Sequence, residues 1–164
     1  MKCRNGFVSN SSSSSFIIAL KKKPESPLEV KRLLFKGGHF SLKEDGITDD
    51  LAAERIFNDL KKSSLASKSK ILDVLKKGYP LSDYEPVPYP NLYGLPKEKS
   101  KEVFDKYLEK VDALNKKIAD EFYAKTEGKK YYILSYSDNN GQEECSLEHG
   151  GTFNVVPHIQ VSYH

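Results

Sequence analysis

The serine run and the apolar run that follows it constrain the fold of this chain more than any other feature. Five consecutive serines, Ser11 to Ser15, lead into Phe16-Ile17-Ile18-Ala19-Leu20, which is apolar at every position. A short run without polar alternation is typical of a strand that is covered on both faces and has neighbours on both sides. We therefore predict that the serine run is ordered and that it leads directly into a central strand.

The other strand candidates lie at the far end of the chain. Tyr131–Ser137 and Glu143–Leu147 flank Asp138-Asn139-Asn140-Gly141, and Asn-Gly is the favoured pair of a hairpin turn. Phe153–Val156 is a weaker candidate, and His158–His164 alternates in polarity. Its apolar face would carry Ile159, Val161 and Tyr163. The central strand must therefore pair with the C-terminal hairpin through long-range contacts.

Helices are predicted between these strands. Ser26 is placed as the cap of a first helix that stops at Gly37-Gly38, and Thr48 caps a second. A third covers about Ser67–Lys77, and the longest runs from about Lys97 to Glu127, or ~45 Å at ~1.5 Å per residue. The fold class follows: α+β, with a small antiparallel sheet of an N-terminal strand plus a C-terminal meander, and three or four helices on one face.

Residues 79–96 interrupt this pattern and form a Pro/Tyr-rich loop. Five prolines and four tyrosines there exclude a regular helix or a central strand. The first interpretation is an ordered segment packed on the domain, and the second is a proline-rich ligand for a partner. Three of its tyrosines are candidate partner-binding residues: Tyr84, Tyr89 and Tyr93. With 164 residues, the chain is predicted to form a single domain.

Charge is distributed unevenly and argues against one class of partner. The net charge is +3, and all 26 lysines and arginines precede Tyr131. Residues 1–130 hold 19 acids, which gives +7, and the four acids after them give −4. Only three of the cations are arginine, the usual bidentate reader of guanine, so sequence-specific nucleic-acid recognition is not expected. The lysines are interpreted first as a solvated face and second as an anion-binding surface.

Targeting signals and disulfides are not predicted. No apolar run approaches the ~18–20 residues of a membrane span, and the apolar stretch near the N-terminus is shorter than the ~7–15 residues of a secretory signal. Cys3 and Cys145 are too few for a disulfide scaffold. We therefore expect no membrane partner and a reducing cytoplasm as the compartment.

Histidines near the C-terminus raise the question of zinc. His149, His158 and His164 lie close to Cys145 and Glu148 in the sequence. In one straight strand, however, His158 and His164 would lie ~20 Å apart at ~3.3 Å per residue. Because no recognised metal-ligand spacing is present, the histidines are interpreted as polar residues of a sheet face. The sequence predicts no metal and no cofactor.

The serine run can be interpreted in several ways. As a nucleophile it lacks the G-x-S-x-G elbow, and five equivalent serines give no reason for one to be activated. As a phosphate cradle it lacks the glycine, lysine and following helix of a P-loop. A structural role is favoured, ahead of recognition of a partner or ligand. No catalytic residue is assigned; the binding candidates, besides the tyrosines above, are Ser11, Ser12, Ser13, Ser14, Ser15, His149 and His158.

Two segments resemble a known group of proteins. The opening Arg4 to Ile17, with Gly6-Phe7-Val8-Ser9-Asn10 before the serine run, resembles the start of small, mostly uncharacterised proteins of tailed phages and some bacteria, which begin with a near-identical GFVSNSSSSSF. Leu147 to Phe153 and Pro157-His158-Ile159 look like the ending of some members. The resemblance implies a phage-type protein whose first and last segments lie together, and it implies no reaction.

Three hypotheses for function follow. The leading one is a non-enzymatic phage accessory protein, located in the host cytoplasm, that binds and inhibits a host protein such as a protease, nuclease or defence enzyme. The second is a small His/Ser-dependent enzyme or ligand-binding domain that uses His149, His158 and the serine run. The third is a virion or assembly component. The absence of a complete catalytic motif, together with the charged surface and the Tyr/Pro loop, favours the first.

Overall fold

The fold was analysed in a computed structural model, which describes residues 13–36, 47–81, 83–149 and 151–163. The helices are α1 (Pro27–Leu34), α2 (Asp49–Lys62), α3 (Lys68–Lys77), α4 (Lys97–Lys125) and α5 (Gln142–His149). The strands are β1 (Ser13–Leu20), β2 (Tyr79–Leu81), β3 (Lys130–Ser137) and β4 (His158–Ser162). A 3-10 turn, Asp138–Asn140, joins β3 to α5. The predicted α+β class with a small antiparallel sheet is confirmed.

The sheet has the order β2-β4-β1-β3, and every pairing in it is antiparallel. β1 pairs with β3 along its whole length and with β4 on its other side, so the predicted central strand is confirmed. All residues from Ser14 to Leu20 are buried, and Ile17 has 0% of its surface exposed. Burial on both faces explains why this strand has no polar alternation.

Helices cover both faces of the sheet, and the expectation that they pack on one face is wrong. Phe16 and Ile18 face a core that includes residues of α1, α2 and α5. Ile17 and Ala19 point to the opposite side, into a core built with α3 and α4. Because successive side chains of a strand point to opposite faces, an apolar run in β1 needs a cover on each side.

The first three helices begin at the residues that the sequence indicates. Ser26, Thr48 and Ser67 each accept a hydrogen bond from the backbone N–H three residues later, at 3.2 Å. Such caps satisfy amide groups that have no partner within the helix. The Gly37-Gly38 stop of the first helix lies outside the described residues, and the helix itself ends at Leu34.

The predicted return strand Glu143–Leu147 is instead part of α5, so the hairpin expectation is wrong. Glu144, Leu147 and Glu148 lie at helical spacing, and all three are buried. Glu144 anchors the first turn of the helix because its carboxylate accepts bonds from Asn140 Nδ2 at 2.8 Å and Arg55 Nη2 at 2.5 Å. Ser146 is buried as well, so among the described residues of α5 three of the four buried positions are polar or charged, and hydrophobicity does not reveal the helical period.

β3 and β4 are not neighbours, because β1 lies between them. Phe153–Val156, the weaker strand candidate, forms turns rather than a strand. Phe153 is nevertheless central to the core: its ring centroid lies 4.8 Å from that of Phe16 and 6.3 Å from that of Tyr136. In β4, Ile159 and Val161 face the α3–α4 core, as the alternation predicts.

Backbone bonds of β4 alternate between its two neighbours. Ala19 N–H donates to the Pro157 carbonyl at 3.0 Å, and Tyr163 N–H donates to the Ser13 carbonyl at 3.0 Å. The backbone N–H and C=O groups of the odd-numbered residues from Pro157 to Tyr163 therefore point to β1. In an antiparallel ladder, residues two apart direct their N–H and C=O groups to the same side. The even-numbered residues Gln160 and Ser162 consequently face β2.

This alternation explains how a proline fits into β2. Tyr79 lies opposite Ser162 and Leu81 opposite Gln160, while Pro80 between them lies opposite Val161. Val161 directs its N–H and C=O groups to β1, so it forms no ladder bond with Pro80. The backbone of Pro80 therefore points away from β4. Its missing N–H therefore falls on the outer edge of the sheet, where a proline costs no ladder bond.

α4 contacts the sheet with only part of its length. Its buried residues are Asn115, Ile118, Ala119 and Phe122, all in the C-terminal half. The half before Asn115 packs against the residues that follow β2 instead. Tyr89 packs there with ring centroids 6.3 Å from Phe104 and 5.4 Å from Tyr107. The helix is therefore long because it supports a second element besides the sheet.

Candidate functional site

The described part of the serine run belongs to β1. Ser14 and Ser15 are buried and Ser13 is half-buried, while Ser11 and Ser12 lie outside the described residues. Ser15 Oγ lies 2.7 Å from Ser135 Oγ and accepts a bond from the Tyr163 hydroxyl at 3.0 Å. These bonds connect β1 to the two strands beside it, which is a structural role.

Ser14 lies on the opposite face, within a buried polar network. Its hydroxyl donates to Glu148 Oε1 at 3.1 Å and accepts from Gln160 Nε2 at 3.2 Å. Both Ser14 and Glu148 are only 2% exposed. The network joins β1, β4 and α5, which are the first strand, the last strand and the last helix of the described residues.

The geometry of this network does not match nucleophilic catalysis. His149 Nε2 lies 3.8 Å from Glu148 Oε2, so the order of contacts is serine, carboxylate, histidine. In a catalytic triad the imidazole lies between the serine and the acid, because it must take the serine proton. Ser14 is also closed to a substrate by its burial. The structure therefore brings Ser14 and His149 to one cluster without an arrangement for acyl transfer.

His158 is not part of this cluster. It lies opposite Ile18 on β1, four residues along the strand from Ser14, or ~13 Å at ~3.3 Å per residue. Its Nδ1 lies 3.1 Å from the Val156 carbonyl oxygen. Among the described residues, no group of three or more His, Cys, Asp or Glu side chains could hold a metal ion.

Removing the Ser14 hydroxyl is expected to destabilise the fold. Ser14→Ala deprives the buried Glu148 carboxylate of a donor, and an unsatisfied buried group costs about 1–3 kcal/mol. Urea unfolding would measure the loss of unfolding free energy. Ser13→Ala, at the half-buried position next to it, is the matched control and should change stability by less than about 0.5 kcal/mol. Equal effects of the two substitutions would contradict the structural role of the network.

The segment after β2 forms a cleft with α4. Tyr84 connects the two, because its hydroxyl donates to Glu121 and Lys117 Nζ lies 4.4 Å from the centre of its ring. The hydrogen bond to Glu121 and then burial raise the pKa of Tyr84 above its usual value. This direction of shift favours the neutral phenol, which is the form that donates to Glu121.

An apolar cavity of about 550 Å³ lies on one side of Tyr84. α4 contributes one wall, and β2 with the residues after it contributes the other. The α4 wall consists of Tyr107, Leu108, Val111, Leu114, Asn115 and Ile118. The rim is also apolar: Tyr79, Leu81 and Leu108 are 59%, 58% and 44% exposed. A volume of this size lies within the ~300–1,000 Å³ of ligand pockets.

A second, more polar cavity of about 600 Å³ also has Tyr84 in its lining. It shares Leu81, Tyr84 and Ile118 with the apolar cavity, and it adds Glu121 and His158 among its lining residues. Tyr84 and His158, two residues singled out from the sequence, therefore line the same cavity.

The sequence indicates this cleft only in part. The Tyr/Pro composition of residues 79–96 marks one wall, and Tyr84 and Tyr89 pack on α4 as an ordered segment. Tyr93 is 95% exposed and lines neither cavity. The sequence did not predict the α4 wall, because Leu108, Val111 and Leu114 belong to the same row of apolar residues, spaced three and four apart, that packs against the sheet. The length of this row could have indicated the wall, since it exceeds what the sheet can cover.

Comparisons with known proteins give no match. No protein-family model, no curated protein and no solved structure matches the chain. The resemblance of the opening and closing segments to phage-type proteins therefore stays a prediction. Among the described residues, no helix combines the length and the apolar character needed to cross a membrane.

Proposed function

We propose that this protein is a phage-type accessory protein that binds a host protein and inhibits it. The observation that carries the proposal is the apolar cleft between α4 and residues 79–96. Tyr79, Leu81 and Leu108 all line one cavity, and each of them is exposed. Clustered exposed apolar side chains around a concavity are typical of an interaction site, whereas single ones are normal on any protein surface.

The composition of the cleft supports a protein as the partner. Tyrosine is enriched at the centres of protein interfaces, and Tyr79, Tyr84 and Tyr107 all line this cavity. The phage assignment is supported by the resemblance of the N-terminal segment, and it places the partner in the host cell. A His/Ser enzyme receives less support, because Ser14 is buried and contacts a carboxylate rather than an imidazole.

Site-specific photo-crosslinking would test this proposal. A benzoylphenylalanine at position 108 on the rim of the cleft should crosslink to one defined protein in bacterial cells. The same residue at position 51 is the matched control, because Leu51 is similarly exposed but belongs to α2, which packs on the other face of the sheet. Identical crosslinking patterns at the two positions, or none at either, would contradict the proposal.

A functional assay would complete the test. The captured protein should lose activity when this protein is added, and Leu108→Asp should weaken the inhibition at least tenfold, because a charge in an apolar contact is strongly unfavourable. Circular dichroism would check that the variant folds. Full inhibition by a folded Leu108→Asp variant would show that the cleft is not the contact surface.

A further inference from the structure

We propose that the occupant of the apolar cavity is an extended segment of the partner that presents apolar side chains to α4 and an acidic side chain to Lys77. This inference rests on the proposed function, and it specifies the chemistry of the segment that the partner supplies. It is argued from the charges that line the cavity, from the shape of the cleft and from the outer edge of β2.

The charges that line the cavity are of one sign. Among the described residues that line the cavity, Lys76 and Lys77 alone are charged, and both lie in the last turn of α3. Lys76 Nζ lies 3.2 Å from Asp112 Oδ2, so its charge is partly offset. Lys77 is exposed, and no ion pair of its ammonium group occurs among the described residues. A carboxylate in the occupant would complement the charge of Lys77.

The remaining lining selects apolar side chains. The described residues that line the cavity beyond the two lysines and Asn115 are aliphatic, proline, glycine or tyrosine. Asn115 is already engaged, because its Nδ2 donates to the Leu75 carbonyl at 3.3 Å. Besides Asn115, the polar side-chain groups among these described lining residues belong to the tyrosines and the two lysines.

The dimensions fit a short extended chain. The cavity follows α4 from Tyr107 to Ile118, a distance of ~17 Å at ~1.5 Å per residue. An extended peptide covers this distance with about five residues at ~3.3 Å each. The exposed rim at Tyr79, Leu81 and Leu108 gives such a chain contact beyond the cavity itself, which a compact small molecule would not use.

Side chains rather than strand addition would hold the segment. Pro80 directs its backbone to the outer edge of β2, where it offers one carbonyl and no N–H. The neighbouring residues Tyr79 and Leu81 use their backbone groups toward β4. An incoming strand would therefore find a single acceptor on this three-residue edge, so affinity and specificity must come from the apolar contacts and Lys77.

Selection from a random linear peptide library on the intact protein would test this inference. We expect the selected peptides to share two or three apolar residues and one Asp or Glu at a fixed position. In fluorescence anisotropy, Lys77→Glu should weaken such a peptide about tenfold, because it replaces an attraction by a repulsion. A Glu→Lys change in the peptide should restore binding to that variant. Lys70→Glu makes the same charge change on α3 away from the cavity and should leave the affinity unchanged.

Three results would overturn the inference while leaving the proposed function intact. One is a set of selected peptides that bind through Leu108 without a shared acidic residue and are indifferent to Lys77→Glu. The other is a library without a binder at the cleft, although position 108 still crosslinks to a host protein. Stoichiometric retention of fatty acid in native mass spectrometry, displaced by no peptide, would also overturn it. Loss of the specific crosslink itself would instead refute the proposed function.

Discussion

Phe16→Ala and Ile17→Ala are each expected to remove a large part of the stability of this protein. The two residues are neighbours in β1, yet Phe16 packs among the residues of α1, α2 and α5, while Ile17 packs among those of α3 and α4. Both are almost fully buried. Truncation of a buried Phe costs about 3–5 kcal/mol and of a buried Ile about 2–5 kcal/mol, against a total stability of about 5–15 kcal/mol.

Urea unfolding would measure both effects, with Leu28→Ala as the control. Leu28 lies on the exposed side of α1, so its truncation should cost less than about 0.5 kcal/mol. A large loss at position 16 alone, with position 17 behaving like position 28, would mean that only one face of the sheet is covered. Losses of similar size at both positions would establish the two-sided core.

Local signals in the sequence predict the elements of this fold well. The apolar run Phe16–Leu20 indicates a doubly buried strand because period and burial are both local properties of the chain. Ser26, Thr48 and Ser67 mark helix starts because a cap acts on amide groups only two or three residues away. Each of these predictions depends on residues that are near one another in sequence.

Two predictions failed because they depend on distant residues, although the long-range pairing of β1 with C-terminal strands is confirmed. The Asn140-Gly141 pair favours a hairpin, but Glu144 finds Arg55, 89 residues earlier in the chain, and its segment becomes helical. The prediction that helices cover only one face of the sheet was also wrong. The side on which a helix packs depends on the path of the chain between elements. Tertiary contacts outweighed the local turn preference in this region.

For the candidate site, too, local signals were informative and contacts between distant residues could not be predicted. Composition identified residues 79–96 as a segment with a special role, but it could not identify the surface on which the segment packs. The bond between Ser14 and Glu148 joins residues 134 positions apart, and no spacing rule links them. In the sequence, Leu108 does not differ from the other apolar residues spaced three and four apart along α4. Its position on the rim of a cleft follows only from where the sheet ends beneath the helix.

Gly78→Ala is expected to disrupt both the sheet edge and the cleft. A Cβ at this position would lie 2.5 Å from the Ser162 carbonyl oxygen and 2.7 Å from Val161 Cγ1. The first of these atoms belongs to the backbone of β4, so the clash cannot be relieved by a rotamer change. β2, which begins at the next residue and forms one wall of the cleft, would have to move away. We expect a loss of about 1–3 kcal/mol in unfolding free energy.

Hydrogen exchange would locate the damage caused by Gly78→Ala. The amides of Gln160 and Ser162 face β2 and should lose protection, whereas those of Ile159 and Val161 face β1 and should keep it. Gly94→Ala is the matched control, because Gly94 has a φ of +75° and no atom within 4 Å of an added Cβ. It should cost only about 1 kcal/mol of backbone strain and leave β4 protected. If Gly78→Ala left Gln160 and Ser162 fully protected, β2 would not be held by this close approach, and the wall of the cleft would need another support.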